Sequence, residues 1–212
     1  MIRHPDRIAL WAVVMAVVGM IAAAASAHGA GGGTSAHGGG TGTAGRCPDT
    51  SFGTRALSVG DCGADVKTLN WLLKASSYGV PLSKEFDHPT DNSVRSFQHR
   101  HHIHADGVVG QRTRKQIVRT MHKNVATWYD LSGRTTACGV KLRHSTIGVA
   151  HRTLPCGTKV TFKYRGHFVR AKVIDRGPYG TGARWDLTKR AADKLHFTSV
   201  GKGTVRAATI RR

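Results

Sequence analysis

Apolar residues fall into three regimes along this chain. Ile8–Ala25 is a nearly unbroken apolar run. Further on, apolar positions recur three and four residues apart: Val66, Leu69, Leu72 and Leu73, then Val94, Phe97 and Ile103, then Ile117, Val118 and Met121. That spacing gathers apolar side chains on one face of a helix, so three helices are predicted. Leu57–Ser58–Val59–Gly60 opens the region. Asp106–Gly107–Val108–Val109–Gly110 predicts a turn before the third helix, with Thr113 as that helix's cap. From Asn124 onward the period shifts towards two. Thr127–Tyr129, Lys159–Tyr164, His167–Ile174 and Val205–Ile210 are rich in β-branched and aromatic residues and read as strands, while Lys189–Leu195 reads as a short helix. Many short strands in so few residues suit a closed barrel.

The N-terminus changes the picture of where such a protein works. Basic Met1–Arg7, the apolar run and the small residues Ala25–Ser26–Ala27 predict a signal peptide over 1–27, cut before His28. An uncleaved anchor is the competing reading, since the run approaches the ~18 residues that can span a bilayer. Residues 28–46 are mostly glycine, alanine, serine and threonine and cannot bury enough apolar surface to fold, which predicts a flexible linker. Four cysteines in an exported chain read as two disulfides. Three pairings are possible. Cys47–Cys62 with Cys138–Cys156 keeps each bridge within one region, and the lack of a close CxxC pair argues against zinc.

The formal charge is +20, from 32 lysines and arginines against 12 acids. Such an excess draws polyanions from a distance. With no groove-reading motif, nucleic acid is not the expected partner. For an exported chain, anionic wall polymers are. His99, His101, His102 and His104 cluster on the second helical stretch; with no carboxylate within that stretch they read first as a solvated basic face, with a metal site or pH-dependent attachment to wall anions as the alternatives.

Candidate chemistry concentrates in the strand-rich half. Gly148–Thr158 holds His151 and Arg152, Val173–Tyr179 holds Asp175, Arg176 and Tyr179, and Trp185–Thr188 holds Asp186. These residues sit on short segments between strand-like runs, where a barrel rim can form a carbohydrate cleft. Cleaving a glycosidic bond requires a carboxyl group to protonate the leaving oxygen. The acids here are Asp130, Asp175, Asp186 and Asp193, and the sole glutamate, Glu85, lies in the helical half. Local roles compete with catalysis: a turn-fixing carboxylate for Asp175, a helix cap for Asp186, a turn or cap for Asp130 and solvated surface for Asp193. Trp128, Tyr129, Tyr179 and Trp185 offer flat faces for sugar rings, with Tyr179 and Trp185 expected to be the more exposed. Arg152 and Arg176 could meet peptide carboxylates.

The wording TACG, GVAHRTLPCGT, VIDRGPYG and WDLT, in that order over about Ala126–Ile210, resembles the double-psi β-barrel of the rare lipoprotein A family and its relatives the expansins. LSVGDCGADVKTLNWLL followed by SVRSFQHRHHIHADGVVGQRTRKQI, over Leu57–Ile117, resembles the type-1 peptidoglycan-binding module. The two resemblances imply an α+β multidomain fold: a small three-helix peptidoglycan-binding module over 47–123 and a six-stranded double-psi β-barrel over 124–212. They imply a secreted, wall-associated protein that binds peptidoglycan glycan strands, needs no cofactor or metal, and keeps no stable membrane anchor once its signal peptide is cut. They further imply lytic transglycosylase chemistry, with Asp175 as acid and base and with His151 and Asp186 assisting. The substrate-binding set is then Trp128, Tyr129, Arg152, Arg176, Tyr179 and Trp185. One departure matters. The family places a glutamate eleven residues before its histidine, and here that position is Val140. An expansin-like barrel that grips glycan without cutting it is therefore the alternative.

Overall fold

The computed structural model describes residues 47–180 and 182–211, so the signal peptide and linker expected within 1–46 lie outside it. The described chain forms a helical region followed by a closed six-stranded barrel.

Three helices build the first region: α1 (Ala64–Ala75), α2 (His88–Arg100) and α3 (Gln111–Thr120). Asp87 caps α2 by accepting the Thr90 N–H at 2.9 Å, satisfying one of the donors a helix start leaves open. Gln98 explains why a polar residue sits in this core. Its Nε2 donates to Asp106 Oδ1 at 2.7 Å and Thr113 Oγ1 at 3.1 Å, and its Oε1 accepts the Gly107 N–H at 2.9 Å. One buried amide thus holds the turn between α2 and α3. Thr113 is consequently not the cap expected of it. Helix α3 begins two residues earlier behind Gly110, and Thr113 is a buried partner of Gln98. The apolar stripes interlock as predicted: Val66, Leu69, Leu72, Leu73, Val94, Phe97, Ile117 and Met121 share one core. Ile103 lies beyond the end of α2 and is half-buried.

The barrel strands are β1 (His122–Tyr129), β2 (Gly148–Ala150), β3 (Lys159–Tyr164), β4 (His167–Asp175), β5 (Trp185–Thr188) and β6 (Gly203–Thr209). They close in the order β1-β5-β2-β4-β3-β6. Pairs β1/β5 and β2/β4 are parallel, and the other four are antiparallel. Helix α4 (Lys189–Lys194) follows β5, capped by the Thr188 side chain, which accepts the Ala191 N–H. The core holds Val149, Phe162, Val173, Trp185, Leu187, Phe197 and Val205. Gly148 is required where β2 passes β4, because a Cβ there would lie 2.2 Å from Ile174 Cδ1.

Only Met121 separates α3 from β1. The two regions form one compact unit. The helical core runs onto the barrel wall through Ala208 and Phe168, and the Phe52 ring meets Phe168 edge-on at 5.3 Å. Arg170 of β4 donates to the Ala64 carbonyl at 2.7 Å, and Arg206 of β6 donates to the Met121 carbonyl at 3.0 Å. Disulfides join Cys47 to Cys62 and Cys138 to Cys156. Among the described residues no helix is long and apolar enough to cross a membrane.

Candidate active site

Strand register brings the two candidate carboxyls together. Ala150 of β2 pairs with Asp175 of β4 on one side and with Asp186 of β5 on the other, and Asp186 pairs in turn with Thr127 of β1. Directly paired residues share a sheet face. A row of four strands therefore carries Asp175, Ala150, Asp186 and Thr127, with the smallest side chain between the acids. At two strand spacings the Cα atoms of Asp175 and Asp186 are about 10 Å apart.

The two acids are held differently. Asp186 is half-buried, and its Oδ1 accepts the Thr127 hydroxyl at 2.7 Å. Burial raises its pKa, the Thr127 bond opposes that, and the negative charge of Asp175 adds to the rise. It does not cap α4, a task Thr188 performs. Asp175 uses Oδ1 to accept two backbone N–H groups, Ala137 at 2.9 Å and Arg176 at 2.8 Å. It thus ties the Thr136–Val140 loop to the end of β4.

Tyr129, two residues beyond Thr127 on the same face of β1, completes the cluster. Its hydroxyl is buried, and no group among the described residues meets hydrogen-bond geometry with it. Burial, the charges of Asp175 and Asp186, and a polar contact with Asp175 push its pKa far up, so it stays protonated. It is a protonated hydroxyl beside two carboxyls, in polar contact with Asp175.

His151 is buried at 5% exposure, its ring 4.6 Å from that of Trp185. Nδ1 accepts the backbone N–H groups of Thr153 at 3.1 Å and Leu154 at 3.0 Å. That places the ring proton on Nε2. Burial, then the cations Arg184, Arg152 and Arg176, lower its pKa to about 4. It is a neutral hydrogen-bond donor near neutrality. Arg176 turns away from Asp175: its Nη1 donates to the Leu154 carbonyl at 2.9 Å and its Nη2 reaches Cys156 Sγ at 3.3 Å. It braces the His151 loop instead of pairing with the acid.

The remaining candidates divide by exposure. Tyr179 is 69% exposed in the glycine-rich turn after β4, and Arg152 is exposed. Trp185 is not the exposed platform expected from its neighbouring glycines. Strand alternation turns it inward to 2% exposure, against Phe162 at 5.1 Å. Trp128 packs against the barrel core and donates from Nε1 to the Thr198 carbonyl at 3.0 Å. Asp130 is exposed and fixes its own turn by accepting Ser132 Oγ at 2.8 Å, a bond that lowers its pKa. Asp193 pairs with Lys189 at 3.0 Å. Val140 is half-buried in the loop that Ala137 fastens to Asp175. Thr127 was missed by sequence reasoning, although period-two alternation from Tyr129 would have put it on the same face.

The comparisons with known proteins fall on these two regions. Residues 122–207 match the family described as "Lytic transglycolase", and residues 62–117 match the "Putative peptidoglycan binding domain". A "Probable endolytic peptidoglycan transglycosylase RlpA" of Synechocystis is 37% identical over 92 residues, 42% of this chain and 29% of that protein. The protein of the same description from Aquifex aeolicus is 38% identical over 93 residues, 42% of this chain and 41% of its own length. The chain thus spans less than half the length of either relative. Among solved structures, the Streptomyces papain inhibitor is 26% identical with a TM-score of 0.36, covering 43% of this chain and 98% of its own. A Clavibacter michiganensis expansin is 23% identical with a TM-score of 0.37, covering 43% and 51%. At such scores neither bears on function. Residues 62–117 thus carry a peptidoglycan-binding domain folded as helices, and residues 122–207 an RlpA-like lytic transglycosylase domain folded as a closed six-stranded barrel.

Proposed function

We propose that the protein is a secreted, wall-associated lytic transglycosylase that grips peptidoglycan through its helices and cuts glycan strands at the barrel rim. The carrying observation is the Asp175–Ala150–Asp186 row, in which one carboxyl is half-buried with a raised pKa beside a second carboxylate. The sequence motif favoured Asp175 as the proton carrier. The geometry favours Asp186 for that task and gives Asp175 the work of loop anchor and charged neighbour.

In this reading the Asp186 carboxyl gives its proton to the glycosidic oxygen as the C1–O bond breaks. The 6-hydroxyl of the same sugar then attacks C1 and returns its proton to Asp186. No water is consumed, the product is a 1,6-anhydro sugar, and the acid is restored, so one proton carrier suffices without the family glutamate. The negative charge of Asp175 would steady positive charge developing at C1. Tyr129 and the Nε2–H of His151 would donate to sugar hydroxyls, with exposed Tyr179 and Arg152 along the strand.

The test is mass spectrometry of soluble products from purified sacculi, wild type beside Asp186→Asn and Asp175→Asn. Anhydro-muramyl products from wild type, absent with Asp186→Asn, are expected. Reducing-end products would point to hydrolysis instead. Val140 favours a second reading, an expansin-like barrel that binds without cutting. Sacculus binding with no soluble glycan from wild type would establish that reading and end the first.

A further inference from the structure

A basic trough runs along the junction of helices and barrel, away from the acid row. Its larger part, about 730 Å³, is lined by Arg114, Lys115 and Arg119 of α3 and by Lys163 and Arg206 of the barrel. A second part of about 450 Å³ shares Lys163 and Arg206 and extends past Lys123. No aspartate or glutamate lines either part, and among the described residues none of these cations forms an ion pair with a carboxylate. Arg114 and Arg206 are set in place by backbone carbonyls, donating to Arg55 O at 2.8 Å and Met121 O at 3.0 Å. These bonds orient the guanidinium groups without neutralising them. Lys163 feels the crowding, since burial and then the charge of Arg206 lower its pKa.

We propose that this trough binds an anionic wall polymer whose repeating units are joined by phosphodiesters. Assembling unneutralised cations at a fixed junction costs stability through mutual repulsion, and a chain of regularly spaced fixed negative charges offsets that cost. Arginine forks and lysine ammonium groups both suit phosphate oxygens. Single-stranded nucleic acid carries similar charge but is held in addition by aromatic faces on which its bases stack, and the aromatic rings of the trough are engaged by its own side chains. Phe52 and Phe168 cover one another edge-on, Lys163 lies over the Phe168 ring at 5.7 Å, and Arg165 lies over Tyr164 at 5.4 Å. The same engagement of the rings by neighbouring side chains argues against a neutral glycan strand here. The site goes beyond the glycan cleft and would hold the protein to a second component of the wall.

The test uses residues 28–212, a synthetic poly(glycerol phosphate) chain as probe, and titration across salt concentrations. Lys115→Glu/Arg119→Glu reverses two exposed positions one turn apart on α3 and leaves the core untouched. Lys74→Glu/Arg100→Glu is the control of equal charge change, at exposed sites outside the trough. A loss of about tenfold or more in affinity with a shallower salt slope is expected for the trough pair and not for the control. Equal loss in both would mean that overall charge does the binding, and the trough would fall as a site. Tighter binding of single-stranded DNA through the same residues would overturn the choice of partner. Sacculi stripped of phosphate polymer should bind both variants as they bind wild type. A loss there by the trough pair alone would assign the trough to glycan and overturn the proposal, leaving the acid row to be judged by its own products. Thermal melts confirm that both variants fold.

Discussion

Asp175 and Asp186 are paired in register to the same residue, Ala150, from opposite sides of β2. The negative charge of Asp175 adds to the rise that burial gives the Asp186 pKa, although the two sit eleven positions apart on separate strands.

Asp186→Asn separates chemistry from stability. With Asp186 in its proposed role of proton carrier, its loss should lower release of anhydro products by at least about a hundredfold. The melting temperature at neutral pH should rise. A carboxyl whose pKa is raised on folding keeps its proton where the unfolded chain has lost it, so stability falls as pH climbs from the ordinary value of 3.8 through the folded value. The asparagine removes that penalty, and the gain should vanish in melts below about pH 3.8.

His151 predicts the opposite slope. Its folded pKa of about 4 lies below the ordinary 6.5, so the unfolded state binds the extra proton between those values. Stability should be full above pH 6.5 and drain away as pH falls towards 4. In His151→Asn the amide oxygen can still accept the Thr153 and Leu154 N–H groups, but nothing titrates. Melting curves from pH 4 to 7 should be flatter for the variant. An unchanged slope would mean that another group governs acid sensitivity.

Trp185 and Tyr179 should behave as opposites. Trp185→Ala empties the space beside Phe162 and His151 and should cost about 3–5 kcal/mol in denaturant unfolding. Tyr179→Ala, at a 69% exposed position, should leave unfolding within about 0.5 kcal/mol of wild type. Only the tyrosine variant should bind sacculi more weakly with its fold intact.

Removing the second disulfide tests the anchor of Asp175. Cys138→Ser/Cys156→Ser frees a segment of sequence separation 18 that carries Ala137, whose N–H holds the Asp175 carboxylate. A stability loss of about 3 kcal/mol follows from the loop length. Product release should fall further than the folded fraction does, which comparing turnover with circular dichroism in one sample would reveal.

Four of the six strands were legible as period-two runs, because β1, β3, β4 and β6 are six residues or longer. Strands β2 and β5, of three and four residues, are too short and too thoroughly buried to alternate visibly, and they surfaced only as motif wording. The helices were legible from their stripes, but not the start of α3, where a glycine cap leaves no side-chain signal. The acids could be counted from sequence. Their adjacency could not, since it depends on register through β2. Trp185 misled for a related reason: nearby glycines hint at exposure, but strand orientation decides it.

The single residue between α3 and β1 makes the molecule a gauge. Met121 is 2% exposed, and its carbonyl is held by Arg206 of β6, the strand paired with β1. With no hinge there, under the proposed function a strand seated on the helices would meet the barrel rim at one bearing and one offset. Whatever the rim does to that strand, it does a set number of sugars from the point of grip, so product lengths should be quantised.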